Sequence, residues 1–257
     1  MIAYPLPESS ANETPFETSW PVRLADTDGD QRLRLDAVAR YLQDIGYEHL
    51  DAVEDGDNHR GWVVRRTVID VVRPIEFGER VTLRRWCSAT SNRWCNMRVQ
   101  VCGSNGGLIE TEAFLIHFGE ESGVPTRMSD RFLAPMLAHT TDHRLRWKAA
   151  LAGPMPAVGA VGVDELGFPL RVADIDWLGH VNNAIHLSGL EELLALHTDV
   201  MTIPYRVIIE YSKPLMAGDD VRLIGHRNGS SLDVWWSVDG EARAVANVSA
   251  LGSVLGR

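Results

Sequence analysis

The chain has 257 residues, 45% of them hydrophobic, so it can bury a large core without disulfides or a metal. Its formal net charge of −10 argues against nucleic acid as the main partner, because phosphate binding favours a basic surface. The three cysteines form no C-x-x-C pair, which argues against a disulfide framework or a zinc ribbon. The N-terminus lacks a signal-peptide pattern, and no apolar run reaches the roughly 20 residues of a membrane span. We therefore expect a soluble, cytoplasmic protein without a membrane span.

The first half of the chain predicts a strand, a helix and several antiparallel strands. After an N-terminal tail (residues 1–14), the strand PFETSWPVRL leads into an acidic turn, ADTDGDQRLRL. LDAVARYLQDIGYEHL then places its apolar residues at helical spacing. VVRRTVIDVV is rich in β-branched residues, RVTLRRWCSA and NMRVQVCG alternate, and GSNGG supplies a turn. These elements form a first unit over residues 15–130.

Residues 131–165 interrupt this plan and predict a linker, because LAGPMPAVGAVG is rich in small residues and proline. His139 and His143 have an i, i+4 spacing that zinc sites use. A third ligand and the glutamate of an H-E-x-x-H motif are missing, so we expect no metal there.

The second unit, residues 166–257, repeats the plan of the first. EYSKPLMAGDDVRL (210–223) aligns with DVVRPIEFGERVTL (70–83) at an offset of 140, and the acidic turn ADIDWLGHVNN aligns with its counterpart at an offset of 148. Both matches occur in the same order, which indicates a duplication. One helix cannot cover both faces of such a sheet, so it must pack on one face with the sheet curved around it. The sequence predicts an α+β fold of two similar units.

The stretch DIDWLGHVNN, followed by a helical pattern, resembles the DxDxxGHVNN signature of hotdog-fold thioesterases. Two such units in one chain resemble the acyl-ACP thioesterases of plants and bacteria, over residues 15–250. The resemblance implies two tandem hotdog units, each a long helix wrapped by a curved antiparallel sheet, joined into one continuous sheet. It also implies hydrolysis of fatty acyl-ACP to free fatty acid, which ends chain elongation. The expected partner is acyl carrier protein, without a cofactor, and the expected state is a monomer or a homodimer.

The resemblance assigns roles residue by residue. Asp176 matches the catalytic aspartate of the family, and His180 matches its catalytic histidine. The plant enzymes carry an asparagine two residues after the aspartate, where this chain has Leu178. Their later Glu-Cys pair falls on Pro214 and Leu215, so the cysteine nucleophile once proposed for them has no equivalent here.

The residue types in this motif suit thioester hydrolysis. Asp176 can activate water as a general base or attack the carbonyl directly. His180 can orient the water or protonate the leaving thiolate. Helix starts expose unpaired N–H groups that can bind the thioester oxygen as it gains charge. We therefore expect oxyanion and substrate contacts from four residues, with backbone amides as the donors: Gly179, Val181, Asn182 and Asn183.

Purely structural roles are open for several of these residues. Asn182 or Asn183 also suits a helix N-cap. Asp174, and by the same argument Asp176, suits a turn in which the carboxylate satisfies backbone donors. Glu210 lies in a strand pattern and either supports the same cleft or has a structural role.

The first copy of the motif lacks the glycine and the histidine of the second copy. Asp28 is still opposite Asp176, but Gln31 and Arg32 replace the glycine and the histidine. We predict one working site per chain, built on the second unit and closed by the first. The acyl chain would lie between the helix and the sheet of the first unit, unless these residues are simply core: Leu42, Ile45, Trp62 and Val64.

A local excess of positive charge suggests how an acidic carrier protein would dock. Residues 60–100 hold nine arginines against three acids, which forms either a basic patch or a solvated sheet face. The chemistry leaves two other functions open: an acyl-CoA thioesterase, which differs only in the carrier, and a non-catalytic protein that binds acyl thioesters.

Overall fold

The structure is a computed structural model that describes residues 2, 4–9, 14–119, 122–140 and 142–253. The described residues form ten strands and three α-helices. In the first half these are β1 (Phe16–Pro21), α1 (Leu35–Ala52), β2 (Trp62–Arg73), β3 (Arg80–Thr90), β4 (Trp94–Gly103) and β5 (Leu108–His117). They continue with α2 (Asp130–His139), β6 (Val163–Phe168), α3 (Asn183–Leu194), β7 (Tyr205–Tyr211), β8 (Val221–Asn228), β9 (Ser231–Val238) and β10 (Glu241–Ala250).

All ten strands belong to one antiparallel sheet, in the order β1-β3-β4-β5-β2-β7-β10-β9-β8-β6. The first-half strands occupy one side of the sheet and the second-half strands occupy the other. Both sides have the same internal order, mirrored about the β2–β7 pair, where Val68 lies opposite Ile208. The predicted α+β fold, with two tandem units in one continuous sheet, is confirmed.

The two long helices pack against the inner face of this sheet. Val38 and Ile45 of α1 and Leu187 and Leu190 of α3 are fully buried, and they share one hydrophobic core with inward side chains of both halves. Each fully buried side chain of this size contributes about 1.5–3 kcal/mol. Bulges in the β2–β5, β3–β4 and β9–β10 pairings bend the strands, which lets the sheet curve around the helices.

The two helices also contact each other through a reciprocal pair of polar contacts. Gln43 of α1 exchanges two hydrogen bonds with the side chain of Asn182, at 2.9 and 3.2 Å. Glu191 of α3 accepts a hydrogen bond from the backbone amide of Leu35, at 2.7 Å. A side chain of each helix therefore forms hydrogen bonds with groups at the N-terminus of the other helix.

Buried ion pairs and chain segments cover the outer face of the sheet. Arg206 forms a two-pronged pair with Asp70, at 2.6 and 2.7 Å, between β7 and β2. The segment 4–9, part of the expected N-terminal tail, packs against this face, and Leu6 is only 2% exposed. The carbonyl of Pro7 accepts a hydrogen bond from the buried Arg98.

The segment between β5 and β6 contains α2, whose N-cap Ser129 accepts a hydrogen bond from the amide of Phe132. Trp147 then lies against the outer face, where the guanidinium groups of Arg65 and Arg66 stack on its ring. Among the residues described above, no helix combines the length and the apolar character needed to cross a membrane.

Candidate active site

The second acidic turn positions its aspartate through local backbone contacts. The Oδ1 atom of Asp176 accepts the amides of Leu178 at 3.0 Å and His180 at 3.3 Å, as in an Asx turn. The amide of Asp176 also donates to the carbonyl of His180 at 2.8 Å. Gly179 has φ of +77°, a left-handed conformation that glycine adopts without strain. The turn is tight, and it fixes the direction of the carboxylate.

This turn lies on a cavity of about 520 Å³. The walls come from α1, from the inner face of β2, β4 and β5, and from the start of α3. Trp177 and Leu178, which are 81% and 54% exposed, lie at the opening. Of the predicted site residues, the following line the cavity: Asp176, His180, Val181, Asn182, Asn183, Leu42, Trp62 and Val64.

The carboxylate of Asp176 keeps one oxygen available. It is half-buried, and only Oδ1 is held by the turn, while Oδ2 accepts no hydrogen bond from any described residue. The ring of His180 lines the same cavity and likewise has no hydrogen-bond partner in that part of the chain. Both groups are therefore able to bind water or substrate.

Most of the backbone amides expected to bind the thioester oxygen already donate hydrogen bonds to carbonyl groups of the protein. The amide of Gly179 donates to the carbonyl of Asp176 at 2.9 Å, and Gly179 does not line the cavity. The amides of Val181 and Asn182 donate to the carbonyls of Leu215 and Asp174, both at 2.9 Å. These three residues cannot donate a second backbone hydrogen bond to an oxyanion in this conformation.

The two asparagines of the motif have different environments. Asn182 is the N-cap of α3, since its Oδ1 accepts a hydrogen bond from the amide of Ala184 at 2.9 Å. Its side-chain amide also exchanges two hydrogen bonds with that of Gln43. Asn183 is the first residue of the helix, and its backbone amide and its side chain have no partner among the described residues. Asn183 is therefore the motif residue whose donors remain free at the cavity.

Only some of the residues expected to form the acyl pocket line the cavity. Leu42, Trp62 and Val64 line the cavity, but Ile45 does not. Ile45 is fully buried in the core between α1 and the sheet. One face of α1 packs against the core, and the neighbouring face lines the cavity. The prediction that Ile45 lines the acyl pocket is therefore wrong, and Ile45 is a core residue.

Glu210 does not reach the cleft. It lies on the outer face of β7, where Arg66 pairs with its carboxylate at 3.0 Å. The same carboxylate accepts the amides of Ala150 at 2.8 Å and Leu151 at 3.3 Å. The expected supporting role is corrected to a structural one, in which Glu210 fastens the linker to the centre of the sheet.

The nine arginines of residues 60–100 do not form one surface patch. Arg98 is buried and pairs with Glu110 at 2.6 Å, and Arg66 pairs with Glu210. Arg85 faces the inner side of the sheet and lines the cavity. The excess of positive charge in this segment is therefore distributed over both faces of the sheet, where much of it is paired.

His186 is a cavity residue that the sequence motif did not reveal. It is only 3% exposed, it lines the cavity, and neither ring nitrogen has a hydrogen-bond partner among the described residues. Burial lowers the pKa of His186 to about 4, so the ring is neutral near pH 7. Its position four residues after Asn182 places both on one face of α3, a helical spacing that would have pointed to it.

Comparison with known proteins identifies the family of the chain. Two family models match the chain: the acyl-ACP thioesterase N-terminal domain over residues 13–136 and the C-terminal domain over residues 162–244. An uncharacterized protein of Mycobacterium tuberculosis strain H37Rv is 40% identical over 231 residues, which cover 90% of each chain.

Solved structures show the same fold. The 12:0-ACP thioesterase from Umbellularia californica superposes with a TM-score of 0.70 and 18% identity, over 91% of this chain and 96% of that one. An acyl-ACP thioesterase from Bacteroides thetaiotaomicron superposes with a TM-score of 0.71 and 14% identity, also over 91% and 96%. At such identities the likeness carries the fold alone. Since the two family models together span most of the sequence, the chain belongs to the acyl-ACP thioesterase family.

Proposed function

We propose that the protein hydrolyses the thioester of fatty acyl-ACP and releases free fatty acid, ending chain elongation. The observation that carries this proposal is the carboxylate of Asp176, which presents an unpartnered oxygen to a cavity of about 520 Å³ beside the start of α3. Family membership supports the reaction class, namely hydrolysis of an acyl thioester.

The chemistry follows from this placement. As a general base, Asp176 takes a proton from water while the water oxygen bonds to the thioester carbon. The tetrahedral intermediate then collapses, the C–S bond breaks, and the thiol and the fatty acid leave. In the alternative step, Asp176 attacks the carbon itself and water hydrolyses the resulting anhydride. In a single turnover in ¹⁸O-labelled water, label on Asp176 shows the anhydride route with water attacking the aspartyl carbon, and trapping of the anhydride by hydroxylamine tests for attack of water on the acyl carbon.

Asn183 is the candidate donor for the oxygen that gains charge in the intermediate. Its backbone amide is the unpaired N–H at the first residue of α3, and its side-chain amide also lines the cavity. One such donor contributes about 3–4 kcal/mol to stabilisation of a transition state. His180 is placed to orient the water or to protonate the thiolate as it leaves.

The surroundings of the opening support a protein-bound acyl chain. Trp177 and Leu178 form an exposed apolar rim. Two cations also line the cavity: Arg65, which stacks on Trp147, and Lys213, which pairs with Glu241. An acidic carrier would meet these cations before its acyl chain enters. The three free thiols, two of them buried, fit the cytoplasmic location that we propose.

The test is a thiol-release assay with acyl-ACP and acyl-CoA of matched chain lengths, with Asp176→Ala as the control. We expect release from acyl-ACP with a lower KM than from acyl-CoA, and a KM for acyl-ACP that rises more steeply with salt. Preference for acyl-CoA, with equal responses to salt, would reassign the carrier. Binding of acyl thioesters without any release would replace the enzyme with an acyl-thioester-binding protein.

A further inference from the structure

One arginine lies where an apolar residue is expected. Along β3 the inner-face positions are Val81, Leu83, Arg85 and Cys87, and the other three are fully buried in apolar surroundings. Arg85 is half-buried and lines the cavity from the sheet side. A guanidinium group on the inner face of this sheet needs an explanation, because charged groups in such places are normally paired.

The structure provides Arg85 with one neutral partner and no acid. Its Nη1 donates to Nδ1 of His49, at 2.5 Å, and it forms no ion pair with any described carboxylate. Burial, followed by the charge of Arg85, lowers the pKa of His49 to about 3, so this histidine is a neutral acceptor. Burial also lowers the pKa of Arg85 to about 10. A guanidinium has five N–H donors, and four of those of Arg85 have no partner in the described residues.

The groups around Arg85 favour an anion. Arg85 lies between the large cavity and a smaller adjoining one of about 50 Å³, and it lines both. The titratable side chains of the smaller cavity include no carboxylate; they are His49, Arg85, Cys87, Cys95 and His139. Asp44 lines the large cavity at an exposed position, and the charged groups that act on it are Arg40, Glu48, Arg23 and Asp26.

Arg85 lies at the far end of the cavity from Asp176. The motif loop meets the segment that follows β7, where the amide of Val181 donates to the carbonyl of Leu215, and Tyr211 at the end of β7 lines the cavity. Between β7 and β3 lie β2, β5 and β4, so four strand spacings separate them, or about 19 Å along the face. Side chains of the three intervening strands line the cavity over this whole path, so the cavity runs from the motif loop to Arg85.

We propose that the far end of the cavity binds a carboxylate at the distal end of the acyl chain, so that the preferred substrates are thioesters of ω-carboxy (dicarboxylic) acyl groups. This inference rests on the proposed function for the thioester end of the substrate. A carboxylate matches the planar fork of a guanidinium and supplies the counter-charge that Arg85 lacks. An unbranched chain ending in a methyl group would instead leave the cation without a counter-charge.

The test uses non-hydrolysable thioethers of pantetheine, because their binding does not depend on catalysis. Two series of matched chain lengths end in a carboxylate or in a methyl group, and calorimetry measures their affinity for the full chain. At the length that reaches Arg85, we expect the carboxylate-ended probe to bind at least about tenfold more tightly, as one charge-assisted hydrogen bond would give. Arg85→Met should reverse this preference, and Arg85→Lys should retain part of it.

Arg84→Met is the matched control, since Arg84 lies on the same strand with its side chain on the outer face. This variant should keep the wild-type preference. Equal affinity for both series in the wild-type protein, or a preference that survives in Arg85→Met, overturns the inference. If the carboxylate preference is found but no thioester is hydrolysed, the proposed function fails and the binding site remains. If thioesters are hydrolysed without any such preference, this inference alone fails.

Discussion

The two acidic turns of the molecule have the same backbone and different surroundings. In the first turn, Oδ1 of Asp28 accepts the amides of Asp30 and Arg32, at 2.9 and 2.8 Å, and the amide of Asp28 donates to the carbonyl of Arg32. In the second turn, Oδ1 of Asp176 makes the equivalent contacts with the amides of Leu178 and His180. The duplicated chain has therefore preserved the turn in both halves.

The difference lies in what surrounds each carboxylate. Asp28 does not line the cavity, whereas Asp176 does. At the start of the following helix, the first half has Arg34, whose side chain pairs with Asp36 at 2.8 Å, and the second half has the capping Asn182. The contacts made by Oδ1 are thus structural in both turns, and the cavity beside the free Oδ2 is what distinguishes the second turn.

The largest effect that tests this comparison is on activity. Asp176→Ala should reduce kcat for acyl-thioester hydrolysis by about 10³-fold, the scale of a lost general base. Asp28→Ala removes the equivalent Asx-turn contacts from the first turn. Both variants should therefore destabilise the fold by about 1 kcal/mol, but Asp28→Ala should leave kcat close to that of the wild type. Loss of activity in the folded Asp28→Ala variant would contradict a single working site.

The reciprocal helix contacts give a second test, through pH. At equivalent positions α1 carries the neutral Gln43 and α3 carries Glu191, whose pKa is raised to about 7, mainly by burial. In the unfolded chain this carboxyl ionises near pH 4.5, so its contribution to stability is complete below that pH. It is lost as pH rises towards 7, by about 3 kcal/mol in total. Glu191→Gln should therefore stabilise the protein by a growing amount from pH 4.5 to 7.

Urea unfolding of both proteins across this pH range measures the difference, in which the contributions of buried histidines cancel. A difference that is independent of pH would show that Glu191 is ionised in the folded state already at pH 5. The change retains an oxygen that can accept the amide of Leu35, so loss of that hydrogen bond should not obscure the result.

The other reciprocal contact should show coupling between the two helices. Gln43→Ala and Asn182→Ala each remove the same pair of hydrogen bonds, and Asn182→Ala also removes the N-cap of α3, worth about 1 kcal/mol. In a double-mutant cycle of unfolding free energies, we expect a coupling energy of about 1 kcal/mol. Additive effects would mean that the contact contributes nothing to stability.

The smallest effect concerns the left-handed residue of each turn. Gly179 has φ of +77°, and its counterpart Gln31 has φ of +64°. Nothing lies within 4 Å of a Cβ built on Gly179, so Gly179→Ala should cost only backbone strain, about 1 kcal/mol. Gln31→Gly should relieve the same strain and stabilise the protein by up to about 1 kcal/mol. Guanidinium unfolding measures both, and equal signs for the two changes would refute the equivalence of the turns.

The sequence was sufficient for the duplicated architecture, because two aligned stretches and the helical and strand periodicities are local signals. Strand alternation also predicts side-chain directions: Tyr211 faces inward, so its neighbour Glu210 must face outward, and the same rule places Arg85 inside. The hydrogen bond that occupies the amide of Val181 could not be predicted from the sequence, because its acceptor is the carbonyl of Leu215, which is distant along the chain. Nor does helical periodicity distinguish Leu42, beside an empty volume, from Ile45, beside packed side chains.

The central β2–β7 pair has a consequence for biosynthesis. Arg66 and Glu210, which join across it, are 144 residues apart in sequence. At roughly 5–20 residues per second, a ribosome needs on the order of ten seconds to make the segment between them. During that interval β2 is an open edge that can pair with another nascent chain. Until β7 is made, this edge of β2 is therefore the part of the first half most open to pairing with another strand.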